Sequence, residues 1–130
     1  MAKRYNEKQL RKNKLSILGK DLVRRSHAKC ELCGADGVKL TVFEVQSDFD
    51  LVTADECLFL CETCAEQIEK PKRMEPNHWR CLNNTVWSEV PAVQVMSARM
   101  LKRLAEPWAK DLLDEAYFDE EVEAWIATAE

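Results

Sequence analysis

The chain has 130 residues, 46% of them hydrophobic, with only three glycines and four prolines. These numbers exclude a disordered tail and a multidomain assembly, and leave one domain or one compact domain with attached helices. The formal charge of −4 hides a split: residues 1–29 carry ten Lys/Arg and two Asp/Glu, and the rest carry nine and twenty-one.

The acidic bulk, with a sequence pI of about 5.3, argues against a dedicated nucleic-acid-binding domain. The N-terminus "MAKRYNEKQLRKNKLSILGKDL" lacks an apolar core of signal-peptide length, and no window approaches the roughly 18 apolar residues of a membrane span. A soluble, cytoplasmic protein with no membrane partner is expected. In that reducing compartment six cysteines are expected as metal ligands or buried thiols rather than as a disulfide framework.

In chain order, residues 6–26 read as a basic amphipathic helix, with Leu10, Leu15, Leu18 and Leu22 near one face. Such a helix either docks on an acidic surface or stays solvated, or, through residues 1–25, contacts nucleic acid; the docked or solvated helix is the favoured reading. A Cys-rich turn follows, then two predicted strands, "KLTVFEVQ" and "CLFLC". "AEQIEK" has helix formers throughout, and "PKRMEPN" breaks it, leaving residues 71–87 irregular or short-helical.

Ser88 reads as the N-cap of a helix over "EVPAVQVMSARMLKRLAE", with Pro91 in the first turn and Val93, Met96, Met100, Leu101 and Leu104 on a broad apolar face. Glu106-Pro107 ends it, and "WAKDLLDEA" resumes with Trp108, Leu112 and Leu113 on one side. Asp119 is placed to cap a last helix, "EEVEAWIATA", whose Val122, Trp125, Ile126 and Ala129 keep helical spacing. No internal repeat or low-complexity tract is present.

Cys30-x2-Cys33 and Cys61-x2-Cys64 stand 27 residues apart. Each turn can present two thiolates to one tetrahedral Zn2+, and two such turns close its coordination sphere. A thioredoxin-type dithiol at Cys61/Cys64 would also open a helix, but it needs a βαβ sheet and leaves the upstream pair without a purpose. The expected α+β fold is therefore a small zinc-binding module: residues 1–28 a basic helix, 29–70 the four-cysteine module, 71–130 a loop and helical region packed on it. A second knuckle opening directly into a helix makes a treble clef; running on into a strand, it would make a zinc ribbon. The helix expected over "AEQIEK" favours the treble clef.

That plan looks like the scaffold of HNH nucleases, which place histidines on the hairpin and helix. Here those places offer only Glu44, Glu66 and Glu69, so the likeness concerns scaffold and not activity. The two histidines are His27 and His78. His27, three residues before Cys30, is a weak alternative ligand. His78 lies in "EPNHWRCLNNTVW", read chiefly as a loop pinned by Trp79 and Trp87, and alternatively as a recognition surface of Asn77, His78, Arg80 and Asn83. Cys57 and Cys81 read as buried thiols, with a second-site or replacement ligand as the alternative.

"CELCG", "LCETCAEQIE", "NHWRCLNNTVWSEVPAVQVM", "RMLKRL" and "WAKDLLDEAYFDEEVEAW" together resemble the PhnA-type proteins, named after a bacterial alkylphosphonate-utilisation context. The resemblance runs from about Ser26 to Ile126 and implies a zinc-binding region with Cys30, Cys33, Cys61 and Cys64 at its knuckles. It implies no activity: phosphonate cleavage does not follow from the family name. Many members continue into a small β-rich domain that this sequence lacks. The resulting expectation is a non-catalytic binding module with one structural zinc and an unidentified macromolecular partner. Nucleic-acid binding through the basic helix and a role in phosphonate metabolism are its alternatives. Apolar faces on three C-terminal helices, with four tryptophans, leave room for a homodimer.

Overall fold

The computed structural model describes residues 19–45 and 54–128. The chain runs through a helix at residues 19–26 (α1), strand β1 (Leu40–Glu44), strand β2 (Cys57–Cys61) and helix α2 (Glu62–Glu69). Two 3-10 turns, Pro71–Arg73 and His78–Cys81, then lead into the one-turn helix α3 (Leu82–Thr85). Helices α4 (Pro91–Leu104), α5 (Pro107–Glu115) and α6 (Glu120–Thr128) complete it. Residues 1–18, which include Leu10, Leu15 and Leu18, lie outside the described residues, as does Ala129. Among the described residues no helix is long and apolar enough to cross a membrane.

The strands form an antiparallel hairpin with Leu40 opposite Cys61, Val42 opposite Phe59 and Glu44 opposite Cys57. β2 is the inner strand: Cys57, Leu58, Leu60 and Cys61 are buried and Phe59 half-buried, whereas no residue of β1 is fully buried. Its outer edge is closed by a side chain. Glu31 donates its own amide to the Phe59 carbonyl at 2.9 Å and accepts the Phe59 amide on Oε1 at 2.8 Å. An exposed pair of ladder groups is thereby satisfied without a third strand.

Arg25 latches α1 to the same edge. Its guanidinium grips both carboxylate oxygens of Glu31, at 2.9 and 2.8 Å, and donates to the Cys57 carbonyl at 2.7 Å. Leu22 on the preceding turn is fully buried. Residues 19–26 are thus docked on the hairpin edge, while residues 6–18 of the expected helix lie outside the described residues. The helix ends with His27 and Ala28 both left-handed, φ 56° and 60°, and the Ala28 amide returning to the Val23 carbonyl. That is a Schellman closure made without glycine.

α4 is the central element. Its apolar face is wider than the sequence predicts: nine of its fourteen residues are buried, including Ser97 and Arg99. It contacts β2, α3, α5 and α6, so almost its whole circumference is covered. Buried Arg99 donates to the Trp125 and Ile126 carbonyls near the end of α6, at 2.6 and 3.3 Å, where Thr128 Oγ1 also donates to the Trp125 carbonyl. Asp119 caps the other end, accepting the Val122 amide at 3.0 Å as expected.

Ser88 does not cap α4. The helix starts at Pro91 with Val90 as N-cap, and Ser88 instead accepts the Val90 amide on Oγ and the Gln94 side-chain amide on its carbonyl. A serine three residues ahead of a proline thus forms a local turn whose carbonyl anchors the first helical turn.

Candidate metal centre

Each knuckle is built by its local sequence. The first turn runs through Cys30, Glu31, Leu32 and Cys33 and closes when the Gly34 amide donates to the Cys30 carbonyl at 2.9 Å. Gly34 takes φ +77°, with open space where a Cβ would be, so its role is conformational rather than steric. In the second knuckle Cys61 is both the last residue of β2 and the N-cap of α2, its Sγ accepting the Cys64 amide at 3.5 Å.

The four Sγ atoms of Cys30, Cys33, Cys61 and Cys64 all lie within 4.8 Å of one another. Cys30 and Cys64 are 3.7 Å apart, Cys33 and Cys61 3.6 Å. Four sulfurs about 2.3 Å from a single tetrahedral ion stand about 3.8 Å from each other. The cluster therefore has the dimensions of a four-thiolate metal site. Cys30, Cys61 and Cys64 are buried and Cys33 half-buried.

The protons of the metal-free cluster are unevenly held. Cys30 is lowered to about 4, first by its hydrogen bond with Cys64 and then by backbone amides of the knuckles, against the opposing effect of burial. Cys64 is driven up by that same bond, by burial and by the neighbouring sulfurs, and so keeps its proton. Burial, with the charge of Cys30, pushes Cys33 up to about 12. The pattern is that of four thiols crowded for a cation.

His78 belongs to this site, although the sequence placed it in a packing loop. Its Nε2 lies 3.2 Å from Cys64 Sγ, within reach of an N–H···S hydrogen bond. The ring is held by a chain of contacts rooted in the ligand helix itself. It stands edge-on to Trp79, with centroids 5.1 Å apart and planes at 88°. Trp79 is fully buried and donates Nε1 to Gln67 Oε1 at 2.8 Å, and the same oxygen accepts the Glu75 amide at 2.9 Å. Cys64 and Gln67, three residues apart on α2, thus clamp the His78-Trp79 pair from one helix face.

The other expectations divide. Trp79 pins the loop, but Trp87 is 53% exposed and pins nothing. His27 is exposed and stands outside the thiol cluster. Cys57 is a fully buried thiol away from the cluster. Cys81 is half-buried and raised to about 11, first by burial and then by the charges of Cys30 and Cys61, and it is not one of the four. Gln67 and the glutamate latch at Glu31 carried no sequence signal, because their partners, Trp79 and Glu75 for one and Arg25 and Phe59 for the other, are brought near only by the fold.

The fold and the site define a small mixed protein, helices around a two-stranded sheet, carrying a four-cysteine site able to hold a tetrahedral metal ion. Compared with family models, with curated proteins and with solved structures, the chain matches none of them.

Proposed function

We propose that this protein is a non-catalytic binding module in which Cys30, Cys33, Cys61 and Cys64 hold one structural Zn2+ in a treble-clef arrangement. The observation that carries the reading is closure. Two knuckles supply four sulfurs at tetrahedral spacing, and three of the four are buried. A completed S4 sphere has no position for water or substrate, so the metal serves folding rather than chemistry. Zinc is the ion that best suits four thiolates without redox demand.

The passage of the second knuckle straight into α2 favours the treble clef over the ribbon. Nuclease chemistry gains no support, since Glu66, on the ligand helix, is tied up with Lys70 and Arg73. The PhnA-type resemblance agrees with structural zinc and adds no reaction to it. Metal analysis of the full chain is expected to return one zinc per chain. Chelation should remove most of the thermal stability. Chelated protein that kept its full unfolding temperature would end this reading.

A further inference from the structure

The segment after α2 reverses the charge of the body around it. From Lys70 to Ser88 there are four cations, Lys70, Lys72, Arg73 and Arg80, against one carboxylate, Glu75. The remainder of residues 30–130 carries five Lys/Arg and twenty Asp/Glu. Lys70 and Arg73 pair with Glu66. Lys72 and Arg80 are exposed and have no carboxylate partner among the described residues.

The same segment is two-faced. Trp79, Leu82 and Val86 are buried, while Arg80, Asn83, Asn84 and Trp87 are exposed at the i, i+3, i+4, i+7 spacing of one helical side. The Arg80 guanidinium lies 4.4 Å from the centroid of the Trp108 ring, which holds a planar cation in place with one face outward. Asn83 Nδ2 donates to the Arg80 carbonyl at 3.0 Å, leaving its oxygen to accept from a ligand. Trp87 leaves half of an indole uncovered beside these groups.

We infer that this face binds single-stranded nucleic acid, RNA or DNA, in a short stacked segment. An exposed indole plane matches the π-face of a base, two carboxamides match base edges, and the Arg80 guanidinium matches a phosphate. An acidic peptide would answer the charge and leave the indole and carboxamides without complements. The inference rests on the binding-module reading, because the face is held in register by the His78–Cys64 contact at 3.2 Å and by Trp79 on Gln67. It differs from the basic-helix alternative, which places the contact within residues 1–25.

The test titrates the zinc-loaded full chain into fluorescein-labelled oligo(dT) and oligo(U), read by anisotropy. With Arg80 as the phosphate contact, log K should fall with log salt at a slope of about −0.7, or roughly 2.6-fold between about 50 and about 200 mM. Trp87→Ala should weaken binding about 5- to 150-fold, the loss of one base stack, and Trp87→Phe should restore part of it. Arg80→Ala should also flatten the salt slope by about 0.7. Zinc content and circular dichroism of each variant check that it folds. Charge reversal in the N-terminal segment, R11E/K12E/K14E, should leave binding unchanged.

Binding that survives Trp87→Ala and Arg80→Ala, or that disappears with the charge reversal, overturns the proposal. So does capture of a polyglutamate peptide in place of the oligonucleotides. Absence of oligonucleotide binding at low salt, with zinc-dependent stability intact, defeats this proposal and leaves the structural-zinc reading standing.

Discussion

Removing the His78 imidazole should weaken metal binding without disturbing any of the four ligands. When metal is bound, Cys64 is a thiolate, and the 3.2 Å contact with His78 Nε2 becomes a charge-assisted hydrogen bond, provided that nitrogen carries the proton. Groups that orient or neutralise a ligand from outside the coordination sphere are worth about 10- to 100-fold in affinity, or about 1.4–2.7 kcal/mol. A hydrogen bond to a charged group, at about 1.5–3 kcal/mol, gives the same range. The ring also packs on Trp79, and such a pair adds about 0.5–1.5 kcal/mol to the fold whether or not metal is present. Two variants separate the effects. His78→Phe keeps the ring contact and removes the donor, and His78→Ala removes both. Competition against a chromophoric chelator should show both variants weakened about 10- to 100-fold for zinc, with apo-protein stability lowered chiefly in His78→Ala. If His78→Phe bound zinc as tightly as the unaltered chain, the N–H···S account of this contact would be wrong.

Three further outcomes follow from the geometry. Cys33, raised to about 12, and Cys64, also raised, must each lose a proton when metal binds near neutral pH, whereas Cys30, lowered to about 4, is already a thiolate. Protons and metal then compete, so zinc affinity should rise at least about 100-fold per pH unit between about pH 6 and 8, read by chelator competition across pH; a pH-independent affinity would refute it. Arg25→Ala should cost about 2 kcal/mol in chemical denaturation, since the Glu31 side chain is only 6% exposed; the Phe59 amide that still serves it keeps the loss below the usual figure for a broken buried pair. Ala105→Gly should raise stability by about 0.5–1 kcal/mol, because Ala105 ends α4 at φ 54°, where an L side chain is strained and glycine is not.

The metal site was legible because its information is local. A Cys-x2-Cys spacing encodes a turn that aims two sulfurs the same way, and two identical spacings specify a shared target. Helices α5 and α6 and the hairpin were legible for a similar reason, their signals lying in period and in single capping residues such as Asp119. What stayed hidden is the set of contacts between distant segments. Arg25 and Glu31 look like surface charges until β2 offers an open edge between them. His78 looks like a loop residue until Gln67 seats Trp79. The near-complete burial of α4, Arg99 included, depends on α6 bringing the Trp125 and Ile126 carbonyls within reach of the guanidinium. Trp87 shows the converse: tryptophan predicts burial from its area, yet its place on the outer side of the 80–87 segment leaves it in solvent.

The uneven burial of the four ligands gives the site a direction. Cys30, Cys61 and Cys64 are walled in, and only Cys33 reaches the surface. A metal held by these four cysteines would be open to a competing chelator at one corner, and its release would begin at Cys33. Its lifetime would then follow local fraying of the turn around Gly34 rather than unfolding of the core.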